Sequence, residues 1–374
     1  MKKNLFGWLA MAAMLVGTGC STDEVVNDYS PENAIQFGTY VGRDAQGRAS
    51  AFETTDMHTA GFGVYAFYTG TTSWANYAEK GTPNFMKNTK VTYSDSEKTW
   101  VYTPVKYWPN NTGDQISFFA YAPWQDGTGN IKLKAGAAAL DFTVPSDVTQ
   151  QTDLTWNSTE HMDETKKAIN GSISFLFKHA LARIGFTLQA AADEVLAGGS
   201  IAEGTTITLV KIELGTTTNG FYTNGTLDLT KENATWLGSS LSGRQTFTLT
   251  TDNFVSGSNV LDKDDNAQAD LIDEDGDDYI MIIPQKKSNL AVYVEYTVET
   301  KDSDTSDGDD SFEITNKITT TIDEIDFVAG KAYTLNLVLG MSTVDLSASV
   351  SPWEAGSPAG TTVNLPINTE IRPS

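Results

Sequence analysis

The segment Leu290-Ala291-Val292-Tyr293-Val294-Glu295-Tyr296-Thr297 alternates between apolar and more polar side chains. Successive side chains of a β-strand point to opposite faces, so this period of two predicts a strand with one buried face. Further strand-like runs are separated by Gly, Asn, Asp and Pro, at 34–41, 61–68, 99–102, 115–122, 173–177, 206–214, 246–250, 279–283, 311–321 and 332–339. Many short strands with turn residues between them favour sandwiches or barrels.

The region around residue 190 divides these strands into two groups. The run 178–188 could form a short helix, but Ile184, Phe186 and Leu188 alternate and favour a strand. The stretch 190–196 is the best candidate for a short helix. We therefore expect an all-β chain with a β-sandwich domain over 34–190 and a second over 191–353.

Composition excludes several classes of protein. The 374 residues carry 25 Lys and Arg against 48 Asp and Glu, a net charge of −23 that argues against binding nucleic acid. One cysteine and three histidines leave no disulfide framework and no Cys- or His-built metal site. The sequence contains no P-loop, G-x-S-x-G or H-E-x-x-H motif, so we expect that the protein is not an enzyme.

The first nineteen residues form an export signal. Lys2 and Lys3 precede the apolar stretch 5–16, which is too short to span a bilayer, and the only cysteine, Cys20, follows small residues. This arrangement resembles a bacterial lipoprotein signal and implies lipidation of Cys20; the alternative is an ordinary signal peptide. Residues 20–33 are polar and predict a flexible tether. The acidic residues after Cys20 resemble a signal for export to the cell surface.

Several further segments carry a resemblance to one family. Together, and in the family's order, they resemble the fimbrillin-like pilus proteins of Bacteroidales: 102–109 (YTPVKYWP), 116–123 (ISFFAYAP), 175–184 (FLFKHALARI), 282–285 (IIPQ), 327–335 (FVAGKAYTL) and 349–353 (SVSPW). The resemblance implies two transthyretin-like β-sandwich domains. It also implies a role as a stalk, anchor or tip subunit of a surface pilus, attached to the outer membrane and polymerised with other pilus subunits.

The resemblance also implies a maturation cleavage after the first strand. In the strand-like run 34–41 the odd positions Ile35, Phe37 and, after Gly38, Val41 are apolar, and a polar loop that contains Arg43 and Arg48 follows. In the family, a trypsin-like protease cuts after an arginine here, and the first strand then leaves a groove for a strand of the next subunit. Arg48 fits the family pattern best and Arg43 is the second candidate. The alternative is an ordinary exposed loop with two solvated arginines.

The C-terminal tail, residues 354–374, is a candidate donor strand for that exchange. In this tail, apolar residues alternate with more polar ones. The apolar residues are Val363, Leu365, Ile367 and Ile371. At about 3.3 Å per residue, residues 361–371 extend roughly 36 Å, the length of a sandwich groove. The alternative is a frayed tail or an additional strand on the chain's own C-terminal half.

Two other features are candidate sites. Asp262, Asp264, Asn266 and Asp273 echo the spacing of a calcium loop, although Ala267 stands where such a loop needs Gly. A solvated acidic loop is the alternative, and no other cofactor is expected. His179, between Lys178 and Arg183, has no nucleophile motif beside it and is better explained as a packed or surface histidine.

Two functions of different classes follow. The first is a pilus subunit or adhesin, which could bind a host glycan or protein. The second is a cell-surface lipoprotein that binds glycans through exposed aromatic side chains, for which the candidates are Trp74, Tyr77, Trp124 and Trp236.

Overall fold

The computed structural model describes residues 33–41, 54–157, 163–164, 172–191, 201–264, 269–272, 279–301, 311–353, 361–363 and 367–368. Within these ranges one α-helix, α1 (Thr54–Ala60), accompanies twenty-four strands, which confirms the all-β class. The strands of the N-terminal half are β1 (Gln36–Val41), β2 (Phe62–Gly70), β3 (Met86–Ser94), β4 (Thr99–Tyr102), β5 (Gln115–Ala122), β6 (Ile131–Leu133), β7 (Ala139–Thr143), β8 (Thr155–Asn157), β9 (Asp163–Glu164), β10 (Ser172–His179) and β11 (Ala182–Ala190).

The C-terminal half contains the two longest strands. Its strands are β12 (Thr205–Leu214), β13 (Asn224–Asp228), β14 (Thr235–Trp236), β15 (Phe247–Thr250), β16 (Val260–Leu261), β17 (Ala269–Asp270), β18 (Ile280–Ile282), β19 (Gln285–Lys301), β20 (Ser311–Phe327), β21 (Lys331–Leu339), β22 (Val344–Pro352), β23 (Thr361–Val363) and β24 (Ile367–Asn368). Each strand-like run identified in the sequence overlaps one of these twenty-four strands.

An eight-stranded sheet forms most of the N-terminal half. Its order is β1-β10-β8-β5-β2-β3-β4, and β9 also pairs with β5. The central strands β2 and β5 are apolar on both faces: Phe62 and Phe118 belong to one buried cluster, whereas Tyr65 and Phe119 belong to another. Burial on both faces explains why these strands read as continuous apolar runs in the sequence.

Two six-stranded sheets contain β11 and most strands of the C-terminal half. Their orders are β17-β11-β21-β22-β23, with β18 on β11, and β15-β12-β19-β20-β24, with β16 on β12. The alternating segment that predicted a strand lies in β19, and Leu290, Val292, Val294 and Tyr296 are all buried. The Tyr296 hydroxyl donates to the carbonyl of Gly340, in the turn between β21 and β22, over 3.0 Å. Apolar side chains of both sheets thus join one continuous core.

A four-stranded sheet, β14-β13-β7-β6, contains strands from both sides of residue 190. Within it β7 and β13 pair antiparallel from Asn224 opposite Thr143 to Asp228 opposite Ala139. The backbone amide of Val144 also donates to the carbonyl of Thr223 over 2.8 Å. Hydrogen bonding therefore crosses the predicted domain boundary, and the division into 34–190 and 191–353 stays a prediction.

Local structure near the boundary differs from expectation in one respect. The run 178–188 is extended, as the alternation of Ile184, Phe186 and Leu188 predicted. Ala190 is the last residue of β11, so the helix expected from 190 to 196 does not begin there; residues 192–196 lie outside the described ranges. In the portion of the chain that the structure describes, no helix has the length and apolar composition needed to cross a bilayer.

The core of the C-terminal half contains a buried lysine. Lys287 in β19 is 4% exposed, and its Nζ donates to Asn219 Oδ1 and to the Gly220 carbonyl, each over 2.8 Å. Burial disfavours the charged ammonium and lowers the pKa of Lys287 to about 8, with a smaller contribution from the positive charge of Arg244.

This pKa predicts that stability increases with pH. Between about pH 8 and 10.4 the unfolded chain holds a proton on Lys287 that the folded chain has released, so raising the pH favours the folded state. The free energy of unfolding of the wild type should therefore rise by up to about 3 kcal/mol relative to that of Lys287→Met across this window. Urea unfolding at pH 7.5 and 10.5 measures it, and a constant difference would contradict the prediction.

Candidate functional site

The first strand, β1, lies at one end of the eight-stranded sheet. It pairs in parallel with β10, in register from Gln36 opposite Ser172 to Val41 opposite Phe177. Its outer edge has no ladder partner in the part of the chain that the structure describes. A terminal strand of six residues is held by one ladder and by whatever its side chains bury.

Phe37 of β1 and Ile35, just before the strand, enter the core. Ile35 and Phe37 are buried, whereas Gln36 is exposed, as the alternating pattern predicted. The Phe37 ring lies in an aromatic pocket formed by Phe62, Tyr102, Phe118 and Phe175, with ring centroids 5.2–6.2 Å away. Burying a phenylalanine side chain contributes about 1.5–3 kcal/mol, so Phe37 is an apolar anchor of this strand.

The residues just before β1 make backbone contacts with the segment that follows β4. The backbone amide of Ile35 donates to the carbonyl of Lys106 over 2.9 Å, and the backbone amide of Trp108 donates to the carbonyl of Asn33 over 3.0 Å. The Tyr102 hydroxyl donates to the Ile35 carbonyl over 2.9 Å, and burial raises the pKa of Tyr102 to about 12. The chain just before β1 is thus held by the segment that follows β4, while β1 itself pairs with β10.

The candidate cleavage residues follow β1 directly in the sequence. β1 ends at Val41 and α1 begins at Thr54; Arg43 and Arg48 lie between them, outside the described residues. The helix α1 was not predicted, because seven residues are too few to establish a helical period. It packs beneath β1, where the Thr39 hydroxyl contacts Met57 Sδ at 3.3 Å.

Two short pieces of the tail pair with strands of the C-terminal half. β23 pairs antiparallel with β22, with Val363 opposite Ala348, and β24 pairs antiparallel with β20, with Ile367 opposite Ile322. This placement agrees with the alternative of additional strands on the chain's own C-terminal half. Leu365 and Ile371 lie outside the described residues, and the donor role of the tail stays a prediction.

The lipidation and calcium candidates lie mostly outside the described ranges. Cys20, Asn266 and Asp273 are among the residues that the structure does not describe. Asp262 Oδ1 accepts a hydrogen bond from the backbone amide of Asp264 over 2.8 Å, an arrangement typical of a turn. Across the described residues, no group of three His, Cys, Asp or Glu side chains could hold a metal ion. Calcium binding stays a prediction.

The aromatic residues expected to form a glycan surface take part in packing. Trp74 is 7% exposed and lies 4.8 Å from Phe67, so its expected exposure is wrong. Tyr77, Trp124 and Trp236 are half-buried. The indole of Trp236 donates to the Ala180 carbonyl over 2.9 Å, and that of Trp124 to the Asn88 carbonyl over 3.3 Å.

His179 is part of a buried cluster at the end of β10, in agreement with its interpretation as a packed histidine. Its Nδ1 lies 2.7 Å from Asp153 Oδ2, and its ring stacks on Trp353 at 4.4 Å. The Arg183 guanidinium carbon lies 5.5 Å from the centroid of the Trp353 ring and 4.4 Å from the centroid of the Tyr279 ring. The cluster anchors Trp353, the last residue before the tail, to strands β10 and β11.

These features define an all-β chain with a short edge strand that completes its sheet. A family model described as fimbrillin-like matches residues 48–353, and the chain belongs to that family. The fimbrium subunit Fim1C of Phocaeicola vulgatus is 31% identical over 189 residues, which are 47% of this chain and 49% of that protein. The chain thus matches about half the length of this relative. The resemblance drawn from the sequence motifs is confirmed.

A solved structure supports the fold. The crystal structure of a fimbrial protein from Bacteroides vulgatus is 22% identical and superimposes with a TM-score of 0.64, covering 86% of this chain and all of that one.

The pocket around Phe37 predicts a large asymmetry between adjacent residues of β1. Phe37→Ala removes the side chain that fills the pocket and should lower the free energy of unfolding by about 3–5 kcal/mol. Gln36→Ala, the control, alters an exposed side chain and should change it by less than about 0.5 kcal/mol. Urea unfolding of both variants measures this. Equal changes in the free energy of unfolding would contradict the role of Phe37 as an apolar anchor.

Proposed function

We propose that the protein is a structural subunit or adhesin of a cell-surface pilus. In this proposal it is exported as a lipoprotein and joins other pilus subunits by strand exchange. Family membership supports the pilus assignment. The observation that carries the strand-exchange mechanism is the insertion of Phe37, from a terminal strand, into an aromatic pocket.

Cleavage after Arg48, or after Arg43, would separate β1 from the rest of the chain. The strand would then be held only by its ladder with β10, by the contacts of its N-terminal end and by its buried side chains. Its departure would leave the edge of β10 unpaired and the pocket around Phe62 and Phe175 open. Unpaired backbone groups beside exposed apolar surface favour the addition of another strand.

The incoming strand must match what β1 supplies. It needs apolar residues two positions apart, one large enough to fill the Phe37 pocket, and a backbone that can pair with β10. The tail has this pattern at Val363, Leu365, Ile367 and Ile371. To act as a donor for another copy, the tail would have to leave the edges of β20 and β22, with which it pairs here.

Attachment to the outer membrane would depend on Cys20. Each buried acyl CH₂ contributes about 0.8 kcal/mol, and more than one chain is needed for stable anchoring. Before cleavage, the polar residues between Cys20 and β1 would form a tether between the membrane and the folded body, and cleavage after Arg43 or Arg48 would release the body from it.

Maturation predicts a defined new N-terminus. Wild-type protein isolated from the cell surface should begin at Ala49, or at Asp44 if Arg43 is the cleavage site, and should form a ladder of polymers on gels run without boiling. The double variant Arg43→Gln, Arg48→Gln should keep β1 and run as a monomer. Lys87→Gln combined with Lys132→Gln is the matched control, because this pair removes two exposed cations outside the loop. Intact mass and N-terminal sequencing measure the outcome, and an unchanged polymer ladder in the double variant would contradict cleavage-dependent assembly.

The tail predicts a second requirement for assembly. Deleting residues 357–374 should abolish polymers, because the donor strand is lost, while cleavage at Arg48 continues. A variant with Leu365→Asn and Ile367→Asn, which keeps the length of the tail, should have the same defect. Polymers of normal length from the deleted protein would eliminate the tail as the donor.

A further inference from the structure

Over most of its length, the outer edge of β20 has no ladder partner in the part of the chain that the structure describes. β20 pairs with β19 from Ser311 opposite Lys301 to Phe327 opposite Gln285. On its other side, among the residues that the structure describes, only β24 pairs with it, at Thr321 and Ile322. Residues 311–315 are all exposed. The N-terminal part of β20 therefore presents alternate backbone amides and carbonyls that a further strand could pair with.

One face of this open segment is apolar. Ile318 and Ile322 are buried in the core, and Phe312 and Ile314 continue the same face toward the start of the strand. Phe312 is 66% exposed and Ile314 is 49% exposed, which makes them the most exposed large apolar residues among those that the structure describes. Natural edge strands are usually protected by charged residues or proline, and the face that contains Phe312 and Ile314 has neither.

The opposite face contains an uncompensated pair of carboxylates. Glu313 lies directly opposite Glu299 of β19, and two like charges in this position repel each other. Four residues further along, Lys317 lies opposite Glu295 and its Nζ is 3.6 Å from Glu295 Oε1. Glu299 and Glu313 have no ion-pair partner within the described ranges, so the same face is neutralised at one position and acidic at the other.

We propose that the edge of β20 from Phe312 to Ile314 binds an extended segment of a partner protein with the pattern apolar–basic–apolar. In an added strand, the residue beside Glu313 would be Lys or Arg, which relieves the repulsion with Glu299. Its two neighbours would point to the other face and cover Phe312 and Ile314, because side chains alternate along a strand. Backbone pairing supplies affinity and the three side chains supply selectivity.

Charge favours a different protein over a second copy of this chain. A second copy that paired through the same edge would place its own Glu313 beside Glu299 and Glu313, whereas a segment with Lys or Arg at that position is attracted. The site is distinct from the groove beneath β1, because β20 belongs to another sheet. The inference therefore does not depend on cleavage or strand exchange.

The test uses two labelled nine-residue peptides in which Thr alternates with Val around a central Ile-Lys-Ile or Ile-Glu-Ile. Fluorescence anisotropy with the full-length protein should show saturable binding of the lysine peptide, about tenfold tighter than that of the glutamate peptide. Glu313→Lys should reverse the preference, whereas Ile314→Ser should weaken the binding of both peptides. Two matched controls, Glu97→Lys and Val255→Ser, alter an exposed acid and an exposed valine far from this edge in the sequence and should leave binding unchanged.

Three outcomes would overturn the proposal: no saturable binding of the lysine peptide to the wild type, equal affinities for both peptides, or no reversal in Glu313→Lys. Sedimentation of the wild type and of Ile314→Ser tests the remaining occupant. A concentration-dependent dimer that Ile314→Ser abolishes would assign this edge to a second copy and would also overturn the proposal.

Discussion

Burial of the eight-stranded sheet on both faces is the constraint on which the rest of the structure depends. The side chains of β2 alternate between two separate apolar clusters, with Phe62 and Val64 in one and Tyr65 and Phe67 in the other. The second cluster continues into the strands of the C-terminal half. Ile35 and Phe37 contribute only to the first, smaller cluster. A change at β1 therefore acts on one face of the sheet, while the other face stays packed against the larger core.

The fold class followed from local patterns in the sequence. Alternation identified β19 because only one of its faces is buried, and the predominantly apolar run at 115–122 identified β5 because both of its faces are buried. The order of strands could not be predicted, because pairing joins residues far apart in the sequence. The clearest example is the bridge between β7 and β13, which crosses the expected domain boundary. Short elements such as α1 and β14 have too few residues to establish a period.

The candidate site was predictable in its strands and not in its contacts. Alternation placed Ile35 and Phe37 on the buried face of the first strand, and the structure agrees. Nothing in the sequence indicated that the Tyr102 hydroxyl would bond to the Ile35 carbonyl, or that Asp153 would lie beside His179. The exposure expected of Trp74 failed for the same reason, since Phe67 and Phe119 cover it from other strands. Each of these depends on a tertiary neighbour and not on a local pattern.

The parallel register of β1 and β10 has a mechanical consequence. Six residue pairs, from Gln36 opposite Ser172 to Val41 opposite Phe177, form a ladder of evenly spaced hydrogen bonds. A force that pulls along the axis of β1 loads all of these bonds at once, in shear, whereas a force across the strands would open them one after another. Phe37 must also be dragged past its neighbouring rings before the strand can slide by one position. The pairing of β1 with β10 therefore resists tension along the strand better than it resists peeling from one end.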